Sequence, residues 1–176
     1  MIRAELILQE LKAQSVTHVI GLPDNSSAGL FDQLSRQPDM RLINVTREGE
    51  AFGIAAGLWL GGKKPAILIQ NTGLLESGDG LRGTVMRMRV PLVCLVTYRG
   101  FRKMPRDRTA LEYDAETLAR AELDSAALVT EPTLKAWGLP FYFVQEESDM
   151  PSLSEAFSRA ESQSRPVAVL ITADLG

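Results

Sequence analysis

Small and polar residues follow three apolar stretches of the chain, at positions where side chains could bind a ligand or move a proton. These junctions are Gly-Leu-Pro-Asp-Asn at 21–25, Thr-Arg-Glu-Gly-Glu-Ala at 46–51 and Gln-Asn-Thr-Gly-Leu at 70–74. Together they offer carboxylates, an amide, and glycines that permit close approach. Each junction also has a simpler interpretation, because the same residue types favour turns and helix starts.

The elements that would position these junctions can be predicted from hydrophobic periodicity. Six short, continuously apolar stretches predict strands at 17–22, 41–45, 65–70, 91–97, 141–144 and 166–172. Helical periodicity between them predicts helices at 2–14, 26–36, 48–60, 74–88, 132–137 and 151–162. Continuously apolar strands indicate a sheet covered on both faces. The predicted fold is therefore α/β and doubly wound, with a six-stranded, mostly parallel sheet and helices on both faces.

In such a sheet the ligand crevice lies at the carboxyl ends of the strands. All three junctions follow predicted strands, so they are expected to meet at this edge. That convergence favours a functional interpretation over three unrelated helix caps.

Composition excludes several classes of protein. The 176 residues carry a formal net charge of −3 and predict one domain over 1–176. The charge gives no basic surface for a nucleic acid, and no apolar run approaches the roughly 20 residues of a membrane span. An amphipathic start in place of a signal peptide predicts a cytoplasmic location. With one cysteine and one histidine, we expect no metal site in the chain.

Two segments need separate interpretation. A glycine and lysine run at 57–64 resembles a phosphate-binding loop, but it ends a predicted helix and leads into a strand, the reverse of the required order. The excursion at about 100–129 is long for a crossover and could be a solvated surface segment, a lid or an anion-binding edge. Its basic part contains Arg99, Arg102, Lys103, Arg106 and Arg108.

The order and spacing of four segments resemble a known family. They are residues 21–24, 47–57, 70–74 and 98–100. Here the chain is similar to thiamine-diphosphate-dependent 2-oxo acid decarboxylases, specifically to the pyrimidine-binding (alpha) subunit of sulfopyruvate and phosphonopyruvate decarboxylases.

This resemblance implies roles for particular residues. Glu48 would be the catalytic carboxylate that hydrogen-bonds the cofactor's pyrimidine ring and relays a proton. The cofactor would also be held by Asn71, Thr72, Gly73 and Leu74. The substrate side would be lined by Pro23, Asp24, Arg47 and Arg99.

The resemblance also implies partners. The cofactor would be thiamine diphosphate, with Mg²⁺ and the diphosphate held by a diphosphate-binding (beta) subunit in a hetero-oligomer. The substrate would be a small 2-oxo acid. In the family, the diphosphate-binding domain is marked by Gly-Asp-Gly followed at some distance by an asparagine. This chain has Gly-Asp-Gly at 78–80, but the motif lies in a predicted helix and no suitable asparagine follows it.

The chain departs from the family in two places, which leave alternatives open. Arg47 and Glu50 replace asparagines, and residues 120–123 lack a histidine that faces the substrate in the family. A non-catalytic cofactor-binding or regulatory module of the same fold is one alternative. A flavodoxin-like nucleotide-binding domain is another, by fold analogy.

Overall fold

Strands and helices alternate along the chain. The computed structural model describes residues 1–105 and 112–176. Its strands are β1 (His18–Gly21), β2 (Arg41–Asn44), β3 (Pro65–Gln70), β4 (Val93–Thr97), β5 (Phe141–Val144) and β6 (Val167–Ile171). Its α-helices are α1 (Ala4–Ala13), α2 (Ala28–Ser35), α3 (Glu48–Leu60), α4 (Asn71–Glu76), α5 (Ala115–Leu118), α6 (Ser125–Ala136) and α7 (Pro151–Gln163). A π-helix spans Gly80–Met86, and 3₁₀ turns span Phe101–Lys103 and Glu147–Asp149.

The six strands form one sheet in the order β2-β1-β3-β4-β6-β5. Every pairing between them is parallel. The predicted α/β class and parallel sheet are therefore confirmed. All strand carboxyl ends consequently lie at the same edge, which we call the carboxyl edge.

Apolar side chains cover the sheet on both faces, as predicted. On one face, which we call the α1 face, helices α1, α2 and α7 contribute Ile7, Leu30 and Phe157 to the core. On the other, the α3 face, α3 and α6 contribute Phe52 and Leu128. This double covering explains why the strands lack the alternation typical of half-exposed strands.

Two helices begin earlier than the sequence predicts. Helix α6 begins at Ser125, so Pro132 lies inside the helix, and its expected place in the first turn is wrong. The reason is the start signal at Asp124, whose carboxylate accepts a hydrogen bond from the Ala127 amide at 3.1 Å. The helix after β3 begins at Asn71 directly, where the prediction placed its start at residue 74.

The excursion at about 100–129 is thus shorter than expected, because α6 occupies its last five residues. Its described part contains the 3₁₀ turn Phe101–Lys103 and the short helix α5. Arg106 and Arg108 lie outside the described residues. Within the described parts of the chain, none of the helices has the length and apolar character needed to cross a membrane.

One glycine is required by the close approach of β1 and β3. A Cβ on Gly21 would lie 2.0 Å from the Leu68 carbonyl oxygen and 3.0 Å from Phe31 Cζ. We expect Gly21→Ala to lower the free energy of unfolding by about 3 kcal/mol, because a paired backbone carbonyl cannot move aside.

The matched control is Gly57→Ala, since a Cβ at this helical position meets nothing within 4 Å. This variant should raise stability by about 0.5–1 kcal/mol by favouring the helical backbone. Urea unfolding of the purified chain measures both. A Gly21→Ala variant as stable as wild type would show that the two strands can separate without loss.

Candidate active site

The candidate site lies at the carboxyl edge, beside the neighbouring strands β1 and β3. The connection after β1 leads to α2 on the α1 face, and the connection after β3 leads to α4 on the α3 face. Adjacent strands whose connections leave to opposite faces open a crevice between them, and ligands bind there in open α/β sheets. We call this opening the first crevice.

Glu48 and Gly73 are in close contact, although they come from different junctions. Glu48 is the first residue of α3, and Gly73 lies in the first turn of α4. A Cβ on Gly73 would lie 2.3 Å from Glu48 Cγ and 2.4 Å from Glu48 Oε1. Only glycine therefore leaves room for the Glu48 side chain in this position.

The Glu48 carboxylate is available to a ligand. Its residue is partly buried, and its carboxylate accepts no hydrogen bond from the residues that the structure describes. A partly desolvated carboxylate with open acceptor positions can bind a donor strongly and can exchange a proton with it.

Glu50, by contrast, is occupied by the start of its own helix. Its carboxylate accepts hydrogen bonds from the backbone amides of Thr46 at 3.1 Å and Arg47 at 3.3 Å. These bonds lower the pKa of Glu50 below its ordinary value. Glu50 thus stabilises the helix start, while Glu48, two positions earlier, lies against Gly73.

Arg47 is held by an ion pair at the rim of the site. Its guanidinium binds the Glu76 carboxylate at the end of α4. This hydrogen bond raises the pKa of Arg47. The arginine therefore joins the start of α3 to the end of α4 through a solvent-exposed ion pair.

Asn71 joins three segments of the carboxyl edge. Its side chain is fully buried. The amide oxygen accepts from the Arg99 backbone N–H at 3.1 Å, and the amide nitrogen donates to Thr130 Oγ1 at 3.1 Å and to the Arg99 carbonyl at 3.3 Å. Asn71 thus positions the start of α4, the connection after β4, and α6.

Asp24 has a similar role between β1 and β4. One carboxylate oxygen accepts from the Ser26 and Ser27 amides at 2.7 and 3.2 Å. The other accepts from Ser27 Oγ at 2.8 Å and from Thr97 Oγ1 at 2.9 Å. Its four hydrogen bonds fix the connection after β1, and any contact with substrate would be made in addition to them.

The remaining predicted residues differ in exposure. Pro23 is exposed beside the first crevice, and Thr72 is partly buried with its hydroxyl donating to Gln70 Oε1 at 3.0 Å. The Leu74 side chain is fully buried in the core of the α3 face. The Arg99 side chain is 61% exposed, and its Nε lies 3.4 Å from Asp124 Oδ2.

The only histidine of the chain, His18, begins β1 and therefore lies at the edge opposite the site. Its Nδ1 lies 2.9 Å from Thr17 Oγ1, and partial burial lowers its pKa. In the segment 120–123, Arg120 Nε donates to Glu122 Oε1 at 2.7 Å on the surface. No histidine of this chain can reach the first crevice.

Two motifs set aside on sequence grounds lie where the sequence indicated. The run at 57–64 connects the end of α3 to the start of β3, so it has helix before strand. The Gly-Asp-Gly at 78–80 lies in helical backbone after α4, and its last residue begins the π-helix. In the described part of the chain, no three His, Cys, Asp or Glu side chains are grouped to hold a metal ion.

Sequence reasoning missed two positioning residues, Thr97 and Thr130, which bind Asp24 and Asn71. The sequence could have indicated Thr97, because it is the one polar residue of the apolar strand β4 and lies at its end. Nothing in the sequence indicated Thr130, since the helix that contains it was predicted to begin only at residue 132.

The chain belongs to the thiamine pyrophosphate enzyme family. Residues 1–119 match the model of the N-terminal thiamine-pyrophosphate-binding domain of these enzymes. The predicted family is therefore confirmed, and the first crevice lies on a domain of this type.

Relatives with known names are decarboxylases. The chain is 36% identical over 100 residues to phosphonopyruvate decarboxylase of Streptomyces viridochromogenes, covering 57% of this chain and 25% of that protein. It is 32% identical over 94 residues to sulfopyruvate decarboxylase subunit alpha of Methanocaldococcus jannaschii, covering 53% and 56%. It is 28% identical over 169 residues to sulfopyruvate decarboxylase of Methanosarcina acetivorans, covering 96% and 39%.

A solved structure shares the fold. Benzoylformate decarboxylase from Polynucleobacter necessarius superposes with a TM-score of 0.70 at 19% identity, covering 98% of this chain and 30% of that one. The matched regions thus span between a quarter and three fifths of the length of these relatives.

The buried Asn71 amide should contribute strongly to stability. We expect Asn71→Ala to lower the free energy of unfolding by about 2 kcal/mol, because it removes the buried hydrogen bond to Thr130 and leaves the part-buried Arg99 amide without its acceptor. Thr72→Ala, which removes one partly exposed hydroxyl, should cost about 0.5 kcal/mol. Chemical denaturation measures both, and equal losses would contradict a bridging role for Asn71.

Proposed function

We propose that the chain is the pyrimidine-binding subunit of a two-chain, thiamine-diphosphate-dependent decarboxylase acting on a small 2-oxo acid. The observation that carries this proposal is the free Glu48 carboxylate held against Gly73 beside the first crevice. It is a partly buried acceptor next to a glycine, at the edge where this fold binds ligands.

The residues present fit the pyrimidine half of the cofactor. A pyrimidine ring nitrogen accepts a hydrogen bond, and a carboxyl group without an internal partner can donate one to it when protonated. The absence of a side chain at Gly73 leaves room for the Glu48 side chain, which is held there for contact with the ring. Thr72 and the backbone of Leu74 flank Gly73 in the same turn and are proposed to contact the ring.

The residues of the candidate site have separate proposed tasks in the reaction. When bound, thiamine diphosphate supplies the electron sink that decarboxylation of a 2-oxo acid requires. Glu48 is proposed to hold and return a proton at the pyrimidine nitrogen. Asn71 and Asp24 position the surrounding loops, and Pro23 lies on the substrate side.

The diphosphate and Mg²⁺ are proposed to bind a second chain. Among the described residues no acidic or histidine cluster could hold the ion, and relatives matched over half of this chain carry the name subunit alpha. A beta subunit in a hetero-oligomer would complete the site.

The substrate is proposed to carry a second anionic group. Relatives are named for phosphonopyruvate and sulfopyruvate, which are both small 2-oxo acids with an acidic head group. Arg47 and Arg99 are the predicted substrate-side cations, and both side chains are mostly exposed although each forms one ion pair, with Glu76 and Asp124 respectively.

Cofactor binding should depend on the partner. The isolated chain, titrated calorimetrically with thiamine diphosphate and Mg²⁺, should show weak binding that does not saturate. Addition of the diphosphate-binding chain should produce tight stoichiometric binding. Tight binding by the isolated chain would show that it contains a complete site.

The two glutamates of α3 should differ in function. In the reconstituted complex, Glu48→Gln should slow hydrogen–deuterium exchange at cofactor C2 by at least about a hundredfold, equivalent to about 2.7 kcal/mol. Glu50→Gln weakens a helix start, and exchange should stay within about threefold of wild type.

NMR of the bound cofactor measures both exchange rates, and thermal unfolding verifies that both variants fold. Equal rates in wild type and Glu48→Gln would remove the proposed proton relay. That outcome would favour the non-catalytic module.

A further inference from the structure

A second crevice opens at the carboxyl edge, between β4 and β6. The connection after β4 leads to α6 on the α3 face. The chain after β6 turns the other way, because Ala173 and Leu175 pack in the core of the α1 face. By the same rule that locates the first crevice, two adjacent strands with divergent connections define a ligand site here.

A cleft of about 240 Å³ occupies this position. It is lined by residues 98–103 after β4, by residues 171–174 at the end of β6, and by Ser26 after β1. A volume of this size accommodates a small anion with a few bound waters, but not a nucleotide.

The cleft is positively charged in a chain whose net charge is negative. Its lining contains Arg99, Arg102 and Lys103 against one acid, Asp174. Arg99 interacts with Asp124. Arg102 and Lys103 are exposed and form no ion pair or side-chain hydrogen bond within residues 1–105 and 112–176.

The segment that carries these cations is anchored. Gly100 adopts φ +79°, and a Cβ there would lie 2.4 Å from Asp124 Cβ, so the turn packs tightly against the start of α6. The Phe101 ring lies 5.1 Å from Tyr98 and 5.9 Å from Phe143, measured between centroids. Arg102 and Lys103 therefore extend from a fixed turn.

Two hydroxyls complete the lining, those of Ser26 and Thr172. Neither side chain forms a hydrogen bond with another described residue. Hydroxyl donors beside an arginine and a lysine are the groups that recognise tetrahedral oxyanions.

We propose that this cleft binds the phosphate, phosphonate or sulfonate group of a small molecule through Arg102 and Lys103. Two sources share this chemistry: the acidic head of the substrate, or a free phosphorylated effector. Binding requires neither the cofactor nor a second chain, so its test is independent of the proposed reaction.

The test is calorimetric titration of the isolated full chain with inorganic phosphate at constant ionic strength. Wild type should bind saturably, and the double variant Arg102→Gln/Lys103→Gln should lose at least about tenfold in affinity. The control Arg87→Gln/Lys135→Gln removes the same charge from exposed helical positions and should stay within about twofold. Unsaturable binding by wild type, or equal affinity in the double variant, would overturn the site.

A second variant tests whether the charge of the cleft determines its affinity for phosphate. Asp174→Asn removes the one carboxylate of the cleft and should raise phosphate affinity by about threefold, because an exposed like charge is removed. Lower affinity in this variant would contradict electrostatic capture by the cleft.

Titration with 3-phosphonopropionate then distinguishes the two sources. Affinity about tenfold above that of phosphate, lost in the double variant, would indicate that the carbon chain is also recognised and that the cleft takes the substrate's head group. Affinity equal to that of phosphate would indicate an effector site that recognises the oxyanion alone.

Discussion

The parallel direction of all six strands is the constraint on which the candidate sites depend. Parallel strands cannot be joined by a tight hairpin turn, so the chain returns through crossover segments, which contain helices, and all strand carboxyl ends meet at one edge. Divergent connections then open crevices at two places along that edge, between β1 and β3 and between β4 and β6. Glu48 lies beside the first, and Arg102 and Lys103 line the second.

Two polar side chains hold the connections around both crevices. Asn71 ties the start of α4 to the segment after β4, and Asp24 ties the segment after β1 to the last residue of β4. A buried amide is costly unless its hydrogen bonds are made, so the Asn71 arrangement is strongly specified. Asn71 and Asp24 thus position the carboxyl edge, while Glu48, Arg102 and Lys103 form no side-chain hydrogen bond or ion pair with the residues that the structure describes.

The chain matches the N-terminal thiamine-pyrophosphate-binding domain of its family, and in the proposal it forms the pyrimidine half of the cofactor site. In the proposal the chain supplies a carboxylate, Glu48, for the pyrimidine, while no group of His, Cys, Asp or Glu among the described residues could hold a metal ion. The two charged residues that depart from the family pattern each have a partner within the chain. Arg47 pairs with Glu76, and Glu50 accepts hydrogen bonds from backbone amides at the start of α3. Both charged side chains therefore have local partners.

The sequence by itself determined the fold class, the parallel sheet and the convergence of the three junctions, because apolar periodicity and strand–helix alternation are local properties. The resemblance of the sequence also pointed to Glu48 as the catalytic carboxylate, which stays a prediction. The tertiary structure alone decided that Gly73 lies against Glu48, and that Asn71 and Asp24 bind Thr130 and Thr97, which are 59 and 73 residues away. It likewise placed Arg102 and Lys103 in a cleft with Ser26 and Thr172. Such partners cannot be read from spacing, since long-range hydrogen bonds and clefts arise only when distant strand ends are brought together by burial of the sheet.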